Sequence, residues 1–373
     1  MNISIKLQQS WRFYIWRAFA ALIVIWLISH LFAYIRQTFP DRTHAMTSLT
    51  SSMRPACFGR YLLNVPNDSQ VDVSMFSILG QSVTIESNVS RNEFNLRMQS
   101  RWAELEQLKA SYNNVAYVSP SRKIEPFPDA YVFLFEEMEI DVSMESAKIQ
   151  MERLHETEGY LWRNNYLYVF SRGNNRENRM IEVMQRLEPW DGITPPAKPG
   201  LCLAGAFLAG ENKTEGVQAE IKIPSKNLSF IVSHGFNDEM YDEGETLLER
   251  NSQAQEMLRA MLANGMDTHV FRRAKHPVGE FLRGEEYIYG VTEQEPKSDG
   301  AYETHISADW LAIGKHTKNS QTLSASMGAT FKTPSSPKGK YPDDLPATLA
   351  SESEFFSVWD AMIESIRPRP GAF

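Results

Sequence analysis

The chain has 373 residues and a formal charge of −8, with 42% hydrophobic, 11% aromatic and 23% charged residues, a globular balance that excludes disorder and fibrous repeats and leaves room for two domains. Two cysteines are too few for a disulfide-dense scaffold or a four-cysteine zinc site. The first 36 residues hold Lys6, Arg12, Arg17 and Arg36 and no acid, so the rest carries −12, the wrong sign for a nucleic-acid partner.

The first element in chain order is Ala18–Ile35, eighteen uncharged and mostly apolar residues. At about 1.5 Å per residue they nearly span a hydrocarbon core of about 30 Å, and Phe13–Trp16 extend them. Trp11, Trp16, Trp26 and Tyr34 suit the interfaces, and the basic excess before the run places the N-terminus in the cytoplasm and everything after residue 40 outside it. Residues 1–36 are thus expected to form a cytoplasmic start and an inner-membrane anchor, and the polar residues 37–53 a tether. A cleaved signal peptide is the alternative, with Thr43-His44-Ala45 as its small-x-small site, but that site lies some ten residues beyond the apolar run. Arg54-Pro55-Ala56 before Cys57 lacks the apolar and small residues of a lipobox.

The remainder reads as α+β in two mixed domains, 54–190 and 201–373, joined by a Pro-rich linker at 191–200 that can continue neither a helix nor a central strand. The first domain is expected to run through strands at Tyr61–Val65, Val71–Leu79 and Val83–Ser87. A capping box at Ser90-x-x-Glu93 then opens a helix over about 90–112. A strand at Ala130–Phe135 and a helix over Met144–Glu158 stopped by Gly159 come next. A hairpin around Arg163-Asn164-Asn165 and a helix through Met180–Leu187 complete the domain. The second domain should carry strands at Leu203–Leu208, Val217–Ile223 and Leu228–Ser233, then a helix from the box Thr246-x-x-Glu249 to Asn264-Gly265. Strands follow at His269–Arg273, Glu280–Tyr289, Tyr302–Ala308 and Leu323–Thr330. An exposed Lys332–Lys340 loop and a helix from Phe355 to Ile366 end the chain. The order in the two halves is similar, which either internal repetition or chance explains.

No stretch satisfies a catalytic pattern. Gly205–Gly210 has phosphate-loop glycine spacing, but Glu211 stands where a lysine is needed. Ile231-Val232-Ser233-His234-Gly235 is half a nucleophile elbow without its first glycine. The histidines lack the i, i+4 spacing of a zincin helix, and acid pairs such as Glu136-Glu137 are not placed around a cleft. No catalytic residue, metal site or cofactor is therefore expected. The acidic stretch containing Asp238, Glu239, Met240, Tyr241, Asp242 and Glu243 reads as a solvated helix lead-in or as a partner-contact loop.

Cys57-Phe58-Gly59-Arg60-Tyr61-Leu62 with Asn64-Val65-Pro66, then Cys202-Leu203-Ala204-Gly205-Ala206-Phe207-Leu208, and finally the ending Val358–Gly371 together resemble the immunity proteins of type VI secretion phospholipase effectors. The resemblance covers nearly everything after residue 54. It implies a non-enzymatic, two-domain envelope protein that grips a lipase effector in the periplasm and blocks its access to lipid. A membrane-anchored hydrolase with an unrecognised site and an envelope assembly component are the rival readings of the same residues. Cys57 and Cys202, each at the start of its domain, either close one bridge in that oxidising compartment or remain two buried thiols.

Overall fold

A computed structural model describes residues 3–40, 42, 47–107, 111–112, 115–116, 121–141, 151–237, 246–251, 266–279, 283–293, 302–313, 321–333 and 351–373. Helix α1 (Ile3–Thr38) contains the apolar run; Ala18–Thr38 is long and apolar enough to cross a membrane, and its most apolar stretch has no buried residue.

The first half of the body opens with the hairpin β1 (Met53–Phe58) and β2 (Tyr61–Pro66), then β3 (Gln70–Ile78), β4 (Gln81–Ser87) and α2 (Arg91–Glu106). A short pair, β5 (Ser111–Tyr112) and β6 (Val115–Ala116), precedes β7 (Arg122–Ile124), β8 (Ala130–Asp141), β9 (Met151–Arg163), β10 (Tyr166–Asn174), α3 (Glu177–Arg186) and β11 (Leu187–Pro189). The second half has the hairpin β12 (Gly200–Leu203) and β13 (Ala206–Ala209), then β14 (Thr214–Ile223), β15 (Leu228–Asn237) and a helical segment from Leu247. β16 (Met266–Lys275), β17 (Glu285–Glu293), β18 (Tyr302–Ile313), β19 (Gln321–Thr333), a C-terminal helix (Glu352–Glu364) and β20 (Arg367–Pro368) complete it.

One antiparallel sheet of twelve strands runs through both halves, in the order β16-β17-β18-β19-β15-β14-β3-β4-β10-β9-β8-β7. Outward from the β3–β14 junction, each half lays down its strands in the same order: first, second, sixth, fifth, fourth, third. The repetition extends to the small sheets. β11, the last strand of the first half, pairs with β13 of the second, and β20, the last of the second half, pairs with β2 of the first. Each half therefore completes the other's three-stranded sheet. The body is a duplicated unit with exchanged ends.

Burial follows the period-two alternation of the strands. One face of the sheet holds a continuous core in which Val132 and Leu134 of β8 and Ile306, Ala308 and Trp310 of β18 meet α3 and the C-terminal helix. The intervening Phe133 and Phe135 face the opposite side and pack under α2 with Phe94, Met98 and Leu105. Tyr287 and Leu311 do the same beneath Leu247. Apolar residues on both faces explain why Ala130–Phe135 reads as an unbroken hydrophobic run.

Several expectations are corrected. The helix expected over Met144–Glu158 is a strand from Met151 onward, residues 142–150 lying outside the described set. Its charged residues are spent across the sheet: Arg153 on Glu139 at 2.9 Å, Glu156 on Arg172 at 3.1 Å and Glu158 on Arg101 at 2.7 Å. Helix propensity is a weak prior that such pairing overrides. Gly159 is not a helix stop; a Cβ there would lie 2.7 Å from the Met184 Cε atom, so the glycine makes room for α3. α2 ends at Glu106, and its Glu93 carboxylate meets Arg97 at 2.6 Å while Ser90 alone caps the helix. Leu203–Leu208 is a hairpin turn with a strand on each side, not one strand, and the strand expected from Glu280 begins at Glu285. Asn264-Gly265 and most of Lys332–Lys340 lie outside the described residues.

Candidate functional site

The nearest approach to a nucleophile dissolves in the fold. Ser233 and His234 are consecutive on β15, so they project to opposite faces of the sheet. His234 is wholly buried, its ring edge-on to Tyr61 at 5.0 Å. Burial, reinforced by the positive charge of Arg60, lowers its pKa to about 3 and keeps the imidazole neutral. Glu136 is ion-paired with Arg172, and Glu137 lies 3.5 Å from Arg122. His155 and His276 bond Glu177 and Glu286 at 2.9 and 3.0 Å. Gly205–Gly210 forms a hairpin and strand rather than a phosphate loop opening a helix. Among the described residues, no group of three or more His, Cys, Asp or Glu side chains is placed to hold a metal. The stretch Asp238–Glu243 lies outside the described residues.

The junction of the halves is instead a fixed joint. Cys57 and Cys202 form a disulfide with their Cα atoms 5.8 Å apart, and Gly59 and Cys202 exchange backbone hydrogen bonds of 3.0 and 2.8 Å. Phe207 packs on the bridge. Beside it the buried Arg60 guanidinium pairs with Glu215, which also accepts from Asn212 at 2.9 Å. Arg369 donates to the carbonyls of Lys198 and Gly200 at 2.9 Å each and to that of Pro196. The Pro-rich linker is therefore pinned by a side chain from the far end of the chain.

One surface has the anatomy of a binding site. A groove of about 540 Å³ lies between the loop before β8, the β9–β10 turn and the end of α3, walled by Phe127, Pro128, Trp162 and Pro189. Its rim is polar: Arg163 sits 5.7 Å above the Phe127 ring, Asp129 is paired with Arg91 at 2.9 Å, and Asn164 and Gln185 close it. The Trp162 indole is held by its bond to the Val89 carbonyl at 2.7 Å. The linker that follows Pro189 of the groove wall presents Ile193 with 78% of its surface exposed. Its loop is ordered by Trp190 Nε1 donating to the Thr194 carbonyl and by Ile193 N donating to Asp191 Oδ1, both at 2.9 Å. Aromatic walls, an arginine and a polar rim suit a protein partner rather than a reaction. Sequence reasoning missed this surface. Its one local signal is a large aliphatic residue inside a Pro/Gly-rich loop, where polar residues are the norm.

Residues 54–178 match the family model of the Tle cognate immunity protein 4 N-terminal domain, and residues 194–371 that of its C-terminal domain. The apo structure of the immunity protein TplEi of the type VI secretion system from Pseudomonas aeruginosa superposes with a TM-score of 0.60 at 20% identity, covering 87% of this chain and 99% of that one. The structure of TplEi complexed with "L" peptide gives 0.57 at 19% identity, covering 88% and 100%. At that identity the likeness is one of fold. No curated protein matches the chain.

Proposed function

The chain belongs to the Tle cognate immunity protein 4 family, and from that premise we propose that it neutralises a type VI secreted lipase effector in the periplasm by stoichiometric binding that closes the effector's access to lipid. As a family member it is an immunity protein and not an enzyme. The observation that carries the reading is that both family domains are present in order and built into one pinned body. Such a body loses little freedom on binding, so an interface of about 1,600 Å² can reach the affinity a lethal partner demands. The grip is that of a rigid clasp rather than a hinged clamp, because the sheet and the disulfide span the two halves. The relative TplEi, solved with a peptide bound, supports recognition of a polypeptide. The groove, the exposed Ile193 and the acidic stretch Asp238–Glu243 are the candidate contacts. α1 anchors the body at the inner membrane with the N-terminus inside, where the basic residues before Ala18 favour it and where the effector arrives.

Titrating the effector's lipase activity with this protein tests the proposal. Inhibition should saturate near one inhibitor per effector, and Ser233→Ala should inhibit as well as the parent chain. Complete inhibition at sub-stoichiometric amounts, or loss of protection in a folded Ser233→Ala variant, moves the reading to a hydrolase.

A further inference from the structure

β16 is one outer edge of the twelve-stranded sheet, where unpaired backbone groups invite pairing with another chain. The residues just after the apolar run cover it. Gln37 Nε2 donates to the Val270 carbonyl at 3.0 Å, and Arg42 Nη2 donates to the Lys275 carbonyl at 3.2 Å and to Glu286 Oε1 at 2.6 Å. Glu286 is fully buried and belongs to a cluster with Arg272 at 3.6 Å, His276 at 3.0 Å and Trp359 Nε1 at 3.3 Å. Arg272 in turn forms a two-pronged pair with Asp360 at 2.5 and 2.9 Å. Among the described residues, Arg272 contacts both buried carboxylates, Glu286 and Asp360, and Arg42 brings a second guanidinium to Glu286. A buried carboxylate left without its counter-charge is strongly destabilising. Further along, Leu49 is buried in the main core and Thr50 Oγ1 lies 3.3 Å from Ser357 Oγ on the C-terminal helix. Residues on both sides of Thr43-His44-Ala45 are consequently parts of the folded body. The segment expected to be a tether thus touches the body at Gln37, Arg42, Leu49 and Thr50.

We infer that Gln37 and Arg42 form a strap that makes α1 a permanent part of the protein and fixes the β16 edge of the second half against the membrane surface. This rests on the membrane-anchor reading above, not on the identity of the effector. From Thr38 to Arg42 the chain can reach at most about 14 Å, so β16 lies beside the end of the helix. β7, at the opposite edge, lies roughly 50 Å away along the sheet, at eleven inter-strand steps of about 4.8 Å. The first half, with its groove, therefore lies at the other end of the strand order from the anchor. Removal of residues 1–45 by a signal peptidase would uncover an edge strand and take from Glu286 the closer of its two guanidinium contacts, leaving Arg272 at 3.6 Å.

The full chain isolated from envelopes should have the intact mass of 42.6 kDa and sediment with membranes. In spheroplasts, proteinase K should free the body from the Gln37→Ala/Arg42→Gln variant about tenfold faster than from the parent, since cleavage follows the open population of the strap. Gln37→Ala alone, which leaves the buried cluster whole, should also accelerate release and keeps the test available if the double variant does not fold. A soluble species beginning at Met46, or equal release rates, would overturn the strap. Effector inhibition is scored separately on the same preparations, so loss of the strap and loss of the immunity reading are told apart.

Discussion

His234 and Glu286 are buried ionisable residues with opposite solutions. Among the described residues neither ring nitrogen of His234 has a hydrogen-bond partner, and burial holds it neutral, at a pKa of about 3 against an ordinary 6.5. Burial would raise Glu286, but His276, Arg272 and Arg42 outweigh it and hold the carboxyl at about 2, below an ordinary 4.5. Both shifts destabilise the fold in acid, in different windows. The unfolded chain protonates His234 below about 6.5 while the folded chain does not, so stability present above that pH is lost as pH falls toward 3, at about 1.4 kcal/mol per pH unit. The contribution of Glu286 is present above about 4.5 and is lost from there toward 2. Between pH 6.5 and 4.5 the slope of urea stability against pH should therefore flatten in His234→Leu relative to the parent; an unchanged slope would mean that His234 titrates normally. The disulfide belongs to the same scale. It closes a separation of 145 residues, for which chain entropy allows roughly 5 kcal/mol, and the Cys57→Ser/Cys202→Ser pair should lose a large part of that in the same assay. A loss below about 1 kcal/mol would show that the exchanged strands alone hold the joint.

The β9–β10 hairpin shows how an element can be legible and its neighbour not. Asn164 and Asn165 have φ of +51° and +63°, the left-handed pair a two-residue turn requires, and asparagine tolerates it. That signal is local, and the hairpin is readable from it. The strand character of Met151–Glu158 is not local, because its ion pairs reach α2, β8 and β10. Gly205 carries the same lesson. It turns between β12 and β13 at φ +65°, and a Cβ there would stand 2.1 Å from the Tyr166 ring. Gly80 has a similar φ of +71° with nothing within 4 Å. Gly80→Ala should cost about 1 kcal/mol for the backbone alone, and Gly205→Ala about 3 kcal/mol or more as the ring is displaced. Equal losses in thermal unfolding would mean that Tyr166 yields without strain.

At the scale of the molecule, the shared sheet and the exchanged β11 and β20 make the halves mutually dependent. Separating them would expose the β3 and β14 edges and take a strand from each small sheet. The body should accordingly unfold in one calorimetric transition with equal calorimetric and van't Hoff enthalpies. Two resolved transitions would show that the Pro-rich linker separates independently folding domains. The same continuity orients recognition: the groove sits toward one edge of the sheet and the anchor strap at the other.

What the sequence determined by itself is what short-range physics encodes. The uncharged run Ala18–Ile35, the caps at Ser90 and Thr246, the Asn164-Asn165 turn and the motifs that carry the family resemblance are each written in a few consecutive residues. The capping box at Ser351 and Glu354 is of the same kind, though the C-terminal helix was legible from its apolar face alone. Only the tertiary structure decided that the two halves share one sheet, that Arg369 pins the linker and that Arg42 joins a buried cluster. Those outcomes depend on pairs such as Tyr61 with Pro368 and Arg42 with Glu286, hundreds of residues apart. Their charges and strand ends look solvated along the chain. Each becomes favourable only once burial removes water and leaves distant residues to take its place.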